Sequence, residues 1–319
     1  MPVHALYGLT LASDFPFSHP LPVVVEAAEE ADVTFRVATA APGEAGDLLW
    51  ESPERLDNRP QTRLFAPAGG WQLLCFAGVG EFWLGEREIV AVVEEGADST
   101  LVELRLLGPV LALWLERRGV VALHAAAVVV DGVAVAFLAS NHGGKSSLAA
   151  GLMQLGMPLL TDDLLAVEAT PDGSFVAHPG YPQMRFWPAE AERFTSTADA
   201  SRVHPAVEKL RVPVGDGGFG RFHGEPCLLA AVLLPERGDE GSGTALRAVA
   251  PSLAVMELLR RSFLPRLAAA TDLQPHRLDL FTRLVETVPV ERCVYPGGYE
   301  QLAVVGESLL ARSPRRRPS

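Results

Sequence analysis

The sequence predicts an α/β fold, a phosphate-loop domain of mixed strands and helices preceded along the chain by a smaller β-rich module. Three observations predict it. From Met1 to Ala97 the chain reads as short apolar runs separated by turn residues, whereas later segments carry helical periodicity. A buried strand, "GVAVAFLA", leads into Gly144-Lys145-Ser146 and then into an apolar helix. Beyond that helix a short apolar run ends on two adjacent acids, Asp162 and Asp163.

The β-rich module comes first. Its strand-like runs are "HALYGLTLA", "DVTFRVATA", "TRLFAPA", "GWQLLCFAG", "EFWLG" and "REIVAVVEE", punctuated by Gly, Pro, Asn and Asp. Between the second and third, "PGEAGDLLWESPERLDNRPQ" is polar and proline-bearing, and reads as an irregular excursion. The module spans 1–107: a strand is expected to end at Leu107, and a connector helix to begin with Pro109 at its first position and stop at Gly119. The second domain is assigned to 108–311. It opens with two buried strands around Asp131-Gly132, and the phosphate-loop helix covers Gly144 to Leu155 with Gly156 closing it. "CLLAAVLLP" reads as a short buried strand. "PSLAVMELLRRSFL" and "PHRLDLFTRLVETV" read as helices, and "VERCVYPGGYEQLAVVGESLLAR" as strand, turn and helix. Residues 312–319, ending "SPRRRPS", read as a solvated, disordered basic tail.

Composition bounds what the protein does. At 319 residues with 48% apolar content, the chain has material for one large or two modest cores. The formal charge of −12 argues against nucleic acid or anionic lipid as partners, because such binding neutralises many phosphates. The start "MPVHALYGLTLASDFPF" lacks the pattern of a secretory signal, and the most apolar region is broken by His124, Asp131 and Gly132. A soluble, cytoplasmic protein with no membrane partner is expected. Cys75, Cys227 and Cys293 lack metal-ligand spacing and read as reduced, inert thiols.

The chemistry concentrates at one loop. A phosphate-binding loop presents backbone N–H groups and a helix N-terminus to an anion, a lysine to the outer phosphates and a hydroxyl to Mg²⁺. Here Asn141, His142, Gly143, Gly144, Lys145, Ser146 and Ser147 occupy it, with Ala139 at the usual first glycine and His142 where related loops have a second. Histidine fits a positive φ poorly, so Gly143 is expected to take the permissive role with the turn shifted by one. His142 then either donates to a phosphate or faces solvent. Asp162 and Asp163 follow "PLL", which reads as a strand parallel to and beside the phosphate-loop strand, ending at the edge where ligands of open α/β sheets bind. Alternation turns the two carboxylates apart, so one can hold Mg²⁺ while the other accepts a proton; the bland alternative is a turn at a strand end. His124, inside the apolar "VVALHAAAVVV", is either a satisfied core residue or part of the site.

Taken together, "RGVVALHAAAVVVDGVAVAFLASNHGGKSSLAAGLMQLGMPLLTDDLLAV", "HPGYPQMRFWP", "EKLRVPV" and "EPCLLAAVLLP" resemble the HPr kinase/phosphorylase catalytic domain, of the HPr kinase / PEP carboxykinase fold type. The resemblance is stronger to the HPr kinase-like serine kinases associated with lasso-peptide biosynthesis. It implies an ATP- and Mg²⁺-dependent kinase, ATP being replaceable by another nucleoside triphosphate. The implied acceptor is a serine hydroxyl of a peptide or small protein, a lasso-peptide precursor near its C-terminus. Position by position it implies Lys145 on the β and γ phosphates, Ser146 on the metal, and Asp162 and Asp163 sharing metal ligation and general base, the division between them left open. It also implies His124 near the active centre and Lys209, Arg211 and Arg185 toward phosphate or substrate; the alternatives are an exposed face for the first two and a structural ion pair for Arg185. Two further readings of the chain stand beside this one: a catalytically degenerate nucleotide- or peptide-binding regulatory module, and a small-molecule kinase. Homo-oligomerisation is left open.

Overall fold

The structure, a computed structural model, describes residues 1–24, 30–140, 143–195, 200–205, 207–239 and 243–312, without the side chains of 310–312. The chain divides into two units, Met1–Arg118 with Leu264–Pro275, and Gly119–Phe263 with His276–Ser319. The expected boundary after Leu107 falls inside a helix; of the predicted tail at 312–319, Arg312 is the last residue of a helix and the rest lies outside the described residues.

In the first unit the predicted strands form in sequence order, with three unpredicted ones, β4 to β6, among them. They are β1 (Val3–Leu6), β2 (Leu9–Ser13), β3 (Val33–Ala38), β4 (Leu48–Glu51), β5 (Arg55–Leu56), β6 (Arg59–Pro60), β7 (Thr62–Phe65), β8 (Gln72–Phe76), β9 (Gly80–Leu84) and β10 (Glu88–Val93). Eight of them make one sheet in the order β1-β2-β3-β10-β9-β8-β7-β4. The polar stretch read as an irregular excursion thus contributes an edge strand, β4, and the small β5-β6 ladder. Leu48 and Leu49 are exposed there, so no apolar alternation marked β4 in the sequence.

The connector differs from expectation. Asp98 caps a helix by accepting from Thr100 N–H at 2.7 Å, and α1 (Ser99–Arg105), a π turn (Leu106–Val110) and α2 (Leu111–Glu116) follow without a break. What reads as a strand ending at Leu107 is helix, and Pro109 is interior to it. Proline removes one N–H from the helical ladder, and the widened turn takes up that loss. Tyr7 Oη donates to the Leu107 carbonyl at 3.2 Å, fastening this helix within the unit.

The second unit holds β11 (Val121–Val130), β12 (Val133–Leu138), α3 (Lys145–Gln154), β13 (Leu159–Thr161), β14 (Leu164–Ala169), β15 (Phe175–His178), β16 (Gln183–Phe186), α4 (Pro188–Phe194), β17 (Ser201–His204), β18 (Val207–Pro213), β19 (Cys227–Gly238), β20 (Ala245–Ala248) and α5 (Pro251–Arg261). After α6 (Pro265–Ala269), which belongs to the first unit, α7 (Leu273–Thr287), β21 (Val290–Pro296) and α8 (Gln301–Arg312) complete the chain. Asp131 (φ +49°) and Gly132 (φ +84°) join β11 to β12 in the two-residue left-handed turn that suits antiparallel strands.

Alternation along β11 sorts its side chains into two layers. Leu123, Ala125, Ala127 and Val129 join a core with Leu258 of α5 and Phe281 of α7; Ala126, Val128 and Val130 join another with Leu148 and Leu152 of α3 and Val305 of α8. Burying each such leucine contributes about 1.5–3 kcal/mol, which holds α3 against the sheet. His124 shares parity with Ala126, so it faces the layer that carries the phosphate-loop helix.

β12, β19 and β21 run parallel, so the phosphate loop leaves the sheet at the edge where those strands end. β19 is twelve residues long rather than a short strand. β13 does not lie beside β12 as expected: it pairs antiparallel with β11, as does β14. The acids therefore interrupt a strand on the far edge of β11, and reach the phosphate loop across it.

Candidate functional site

At the loop, Gly143 N–H donates to the Ser140 carbonyl at 3.0 Å, and Gly144 (φ +81°) is the left-handed residue that opens α3. The permissive role belongs to Gly144 and not to Gly143. Gly143 is needed for a different reason: a β-carbon there would stand 2.5 Å from the Ala139 Cβ. Asn141 and His142 lie outside the described residues.

Lys145 opens the helix and turns its amine back under the loop, where Nζ donates to the Ala139 carbonyl at 3.1 Å and to His124 Nε2 at 3.2 Å. The residue is only 8% exposed. Burial lowers its pKa, and the nearby Asp162 and Asp163 oppose that shift. Because Lys145 donates to Nε2, the imidazole proton sits on Nδ1, which donates to the Asp163 carbonyl at 3.0 Å and lies 3.3 Å from its Oδ1. Phe263 packs edge-on to the ring at 5.8 Å between centroids. His124 is therefore part of the lysine–aspartate cluster.

The acids are arranged by a local backbone device. Leu164 N–H donates to the Asp162 carbonyl at 3.1 Å, two residues back, and Asp163 between them has φ +79°. That is the rare γ-turn with a left-handed centre, in a stretch that is otherwise strand. Ala125 N–H still reaches the Asp163 carbonyl at 3.2 Å, so the pairing with β11 survives the interruption. The turn brings both carboxylates to one cleft while giving them different partners. Asp162 Oδ1 accepts from Ser146 Oγ at 2.9 Å and Oδ2 from Arg185 N–H at 2.9 Å. Asp163 Oδ2 accepts from Arg185 Nη1 at 3.0 Å, and Arg185 Nη2 donates to Tyr181 Oη at 3.1 Å.

These surroundings drive the two acids apart. Burial raises the Asp162 pKa, the neighbouring Asp163 charge adds to it, and the hydrogen bonds from Arg185 N–H and Ser146 only moderate it. Burial would raise Asp163 too, but Arg185 first, then His124, Lys209 and Lys145, outweigh it and hold that carboxyl below the ordinary carboxylate value. Asp162 is thus a desolvated carboxylate with neutral donors only, whereas Asp163 already has its cations.

The remaining predicted residues divide. Arg185 lies in the cluster as the ion-pair partner of Asp163, the structural alternative named for it. Lys209 stands 5.7 Å from the Trp187 ring centroid, near enough for its charge to act on both aspartates and Lys145. Arg211 lies across from Arg185 in the β16–β18 ladder and is 5% exposed, so it is not part of an exposed face. Ser147 Oγ donates to Glu190 of α4, whose other oxygen accepts from Trp187 N–H at 3.1 Å.

No protein-family model and no curated protein matches this chain. Among solved structures, it is similar to the Hpr(Ser) kinase/phosphatase from Coxiella burnetii, with 13% identity, a TM-score of 0.32, and coverage of 61% of this chain and 95% of that one. A likeness that loose carries nothing about activity, so the chemistry rests on the geometry above. Sequence reading missed Tyr181, Glu190 and Phe263. Glu190 left a signal, since "WPAE" places Pro at the first helical position and Glu at the third, the pattern of a helix start. Phe263 left none, because it arrives through the main-chain bond of Phe263 N–H to Ala122 O at 2.7 Å. Among the described residues no cluster of three or more His, Cys, Asp and Glu forms a metal cage, and no helix is long and apolar enough to cross a membrane.

Proposed function

We propose that the protein is a kinase that transfers a phosphoryl group from a nucleoside triphosphate to a serine hydroxyl. One observation carries the reading: Lys145 and Ser146, at the start of a loop-capped helix, meet Asp162, Asp163 and His124 within hydrogen-bonding distance in a single cleft. Charge placement supplies most of the catalysis of phosphoryl transfer, and this cleft has an ammonium, a guanidinium, two carboxylates and a helix N-terminus converging.

The residues fit Mg²⁺, which takes one or two carboxylates and keeps waters and phosphate oxygens. Asp162 and Ser146 would hold it, being already joined by the Ser146 Oγ to Asp162 Oδ1 hydrogen bond. Bound there, the metal would neutralise phosphate charge. Asp163, held ionised by Arg185, accepts the proton of the acceptor hydroxyl; in a loose transition state orientation matters more than base strength. Lys145 reaches the outer phosphates, and His124 and Ala139 fix its amine.

The acceptor we infer is a small peptide, a lasso-peptide precursor phosphorylated near its C-terminus; only the resemblance in sequence motifs supports that finer choice. The test is incubation of the protein with ATP, Mg²⁺ and serine peptides, scored by mass for one added phosphate. Transfer should vanish in Asp163→Asn. Nucleotide binding without transfer to any peptide or small alcohol would instead favour a regulatory module, and transfer to free serine or a sugar a small-molecule kinase.

A further inference from the structure

A second set of side chains gathers on another flank of the phosphate loop, where β21 ends. Tyr295 packs its ring into the core shared by α3 and α8, and its hydroxyl lies 3.3 Å from where a β-carbon on Gly144 would stand. Among the described residues that hydroxyl has no hydrogen-bond partner. After the Pro296-Gly297-Gly298 turn the chain reaches Tyr299, which is 40% exposed. Its ring meets Phe194 edge-on at 5.4 Å between centroids, and the Arg193 guanidinium lies 5.8 Å from its centroid. Both partners belong to α4, and Glu190 of the same helix holds Ser147 Oγ in the first turn of α3. One short helix thus ties an exposed aromatic ring to the anion-binding end of another.

None of this is needed to hold a polyphosphate, which the loop amides, Lys145 and Ser146 already serve. A half-exposed ring with a cation beside it suits a flat heteroaromatic group, because every nucleobase has a π-face to offer. We propose that Tyr299 is the platform on which the base of the donor nucleotide stacks, with the Tyr295 hydroxyl donating to a phosphate next to the sugar. This rests on the nucleotide-binding reading above.

Calorimetry on the full chain with Mg²⁺ and either ATP or inorganic tripolyphosphate tests it. Tyr299→Leu keeps apolar bulk against Phe194 but loses the π-face; it should raise the Kd for ATP about 5- to 100-fold, the worth of one base stack, and leave tripolyphosphate unchanged. Tyr299→Trp should retain ATP affinity, and Tyr295→Phe should weaken both ligands alike. Unchanged ATP affinity in Tyr299→Leu, or equal loss of both ligands, overturns the platform, and unchanged binding of both by Tyr295→Phe overturns the hydroxyl's part. If the wild-type protein binds tripolyphosphate as tightly as ATP, the base contributes nothing and this inference fails alone. If it binds neither, the nucleotide reading falls and takes this one with it.

Discussion

Asp163 sits at φ +79° in a chain segment that is extended on both sides, and this makes a sharp comparison available. Replacing it by Ala or by Gly removes the same carboxylate and the same ion pair to Arg185, so those losses cancel between the two variants. What remains is backbone. A β-carbon in left-handed geometry costs about 1–2 kcal/mol, which Gly escapes. Against that, Gly loses more conformational freedom on folding, about 0.5–1 kcal/mol relative to Ala. The balance favours Asp163→Gly by about 0.5–1 kcal/mol, or roughly 1–4 °C in Tm for a folding unit of this size. At an ordinary strand position the sign is reversed. Thermal unfolding at neutral pH, followed by near-ultraviolet circular dichroism, reads the difference directly. Asp163→Ala melting at or above Asp163→Gly would refute the γ-turn, and with it the account of how two adjacent acids reach one cleft. Neither variant should transfer phosphate.

Three further outcomes follow from the same geometry. Burial raises the folded-state pKa of Asp162 above its ordinary value of 3.8, so its cost is absent below that pH and grows as pH rises through the folded value. Asp163 is depressed, so its contribution is present above pH 3.8 and lost as pH falls through the folded value. Without metal, Asp162→Asn should therefore raise Tm at pH 7 and Asp163→Asn lower it, the first difference closing as pH falls to 3.8 and the second only below 3.8; Tm against pH for the two variants checks the opposite signs, and both should lose transfer by several orders of magnitude with the fold kept. Gly144→Ala puts a β-carbon at φ +81° and 3.3 Å from Tyr295 Oη, which should cost about 1–2 kcal/mol and weaken tripolyphosphate binding, measured by calorimetry. Burial pushes the thiols of Cys75, Cys227 and Cys293 up to about 12, about 11 and about 11, so at pH 8 a disulfide reagent should label none rapidly in the native protein and all three in denaturant.

Much of this fold was legible because its strands are apolar by alternation and its turns are marked by Gly, Asp and Pro. β1 to β3, β7 to β10, the β11–β12 hairpin, α3, α5, α7 and α8 fall where periodicity places them. The failures share a cause: a local signal read correctly, in a context only three dimensions supply. Pro109 is a good first helical residue, but Asp98 had already capped the helix eleven residues earlier and a π turn absorbed the proline. β4 shows two leucines to solvent, and solvent-facing edges leave no pattern. The order of strands was also illegible, since pairing partners are chosen by register with neighbours far along the chain. The cluster at the site was foreseen as a set because its members are motif residues; its wiring, with Lys145 on His124 and Arg185 bridging both acids, was not.

That wiring also supports the proposed nucleotide reading. Three of its features are costly: Lys145 is a desolvated ammonium, Asp162 is a buried carboxylate with no cation hydrogen-bonded to it, and Asp163 holds a left-handed backbone. Each cost has a remedy of definite charge. An anion at the loop would stabilise Lys145, whereas a cation beside Ser146 would stabilise Asp162, and neither ligand answers both. A nucleoside triphosphate carrying its divalent cation presents negative oxygens and a positive centre side by side, at the spacing of one loop and one strand end. The strain at Asp163 is of another kind, because no ligand relieves it; on the proposed reading it persists so that a third charge, already paired with Arg185, faces the same space and takes a proton from the acceptor.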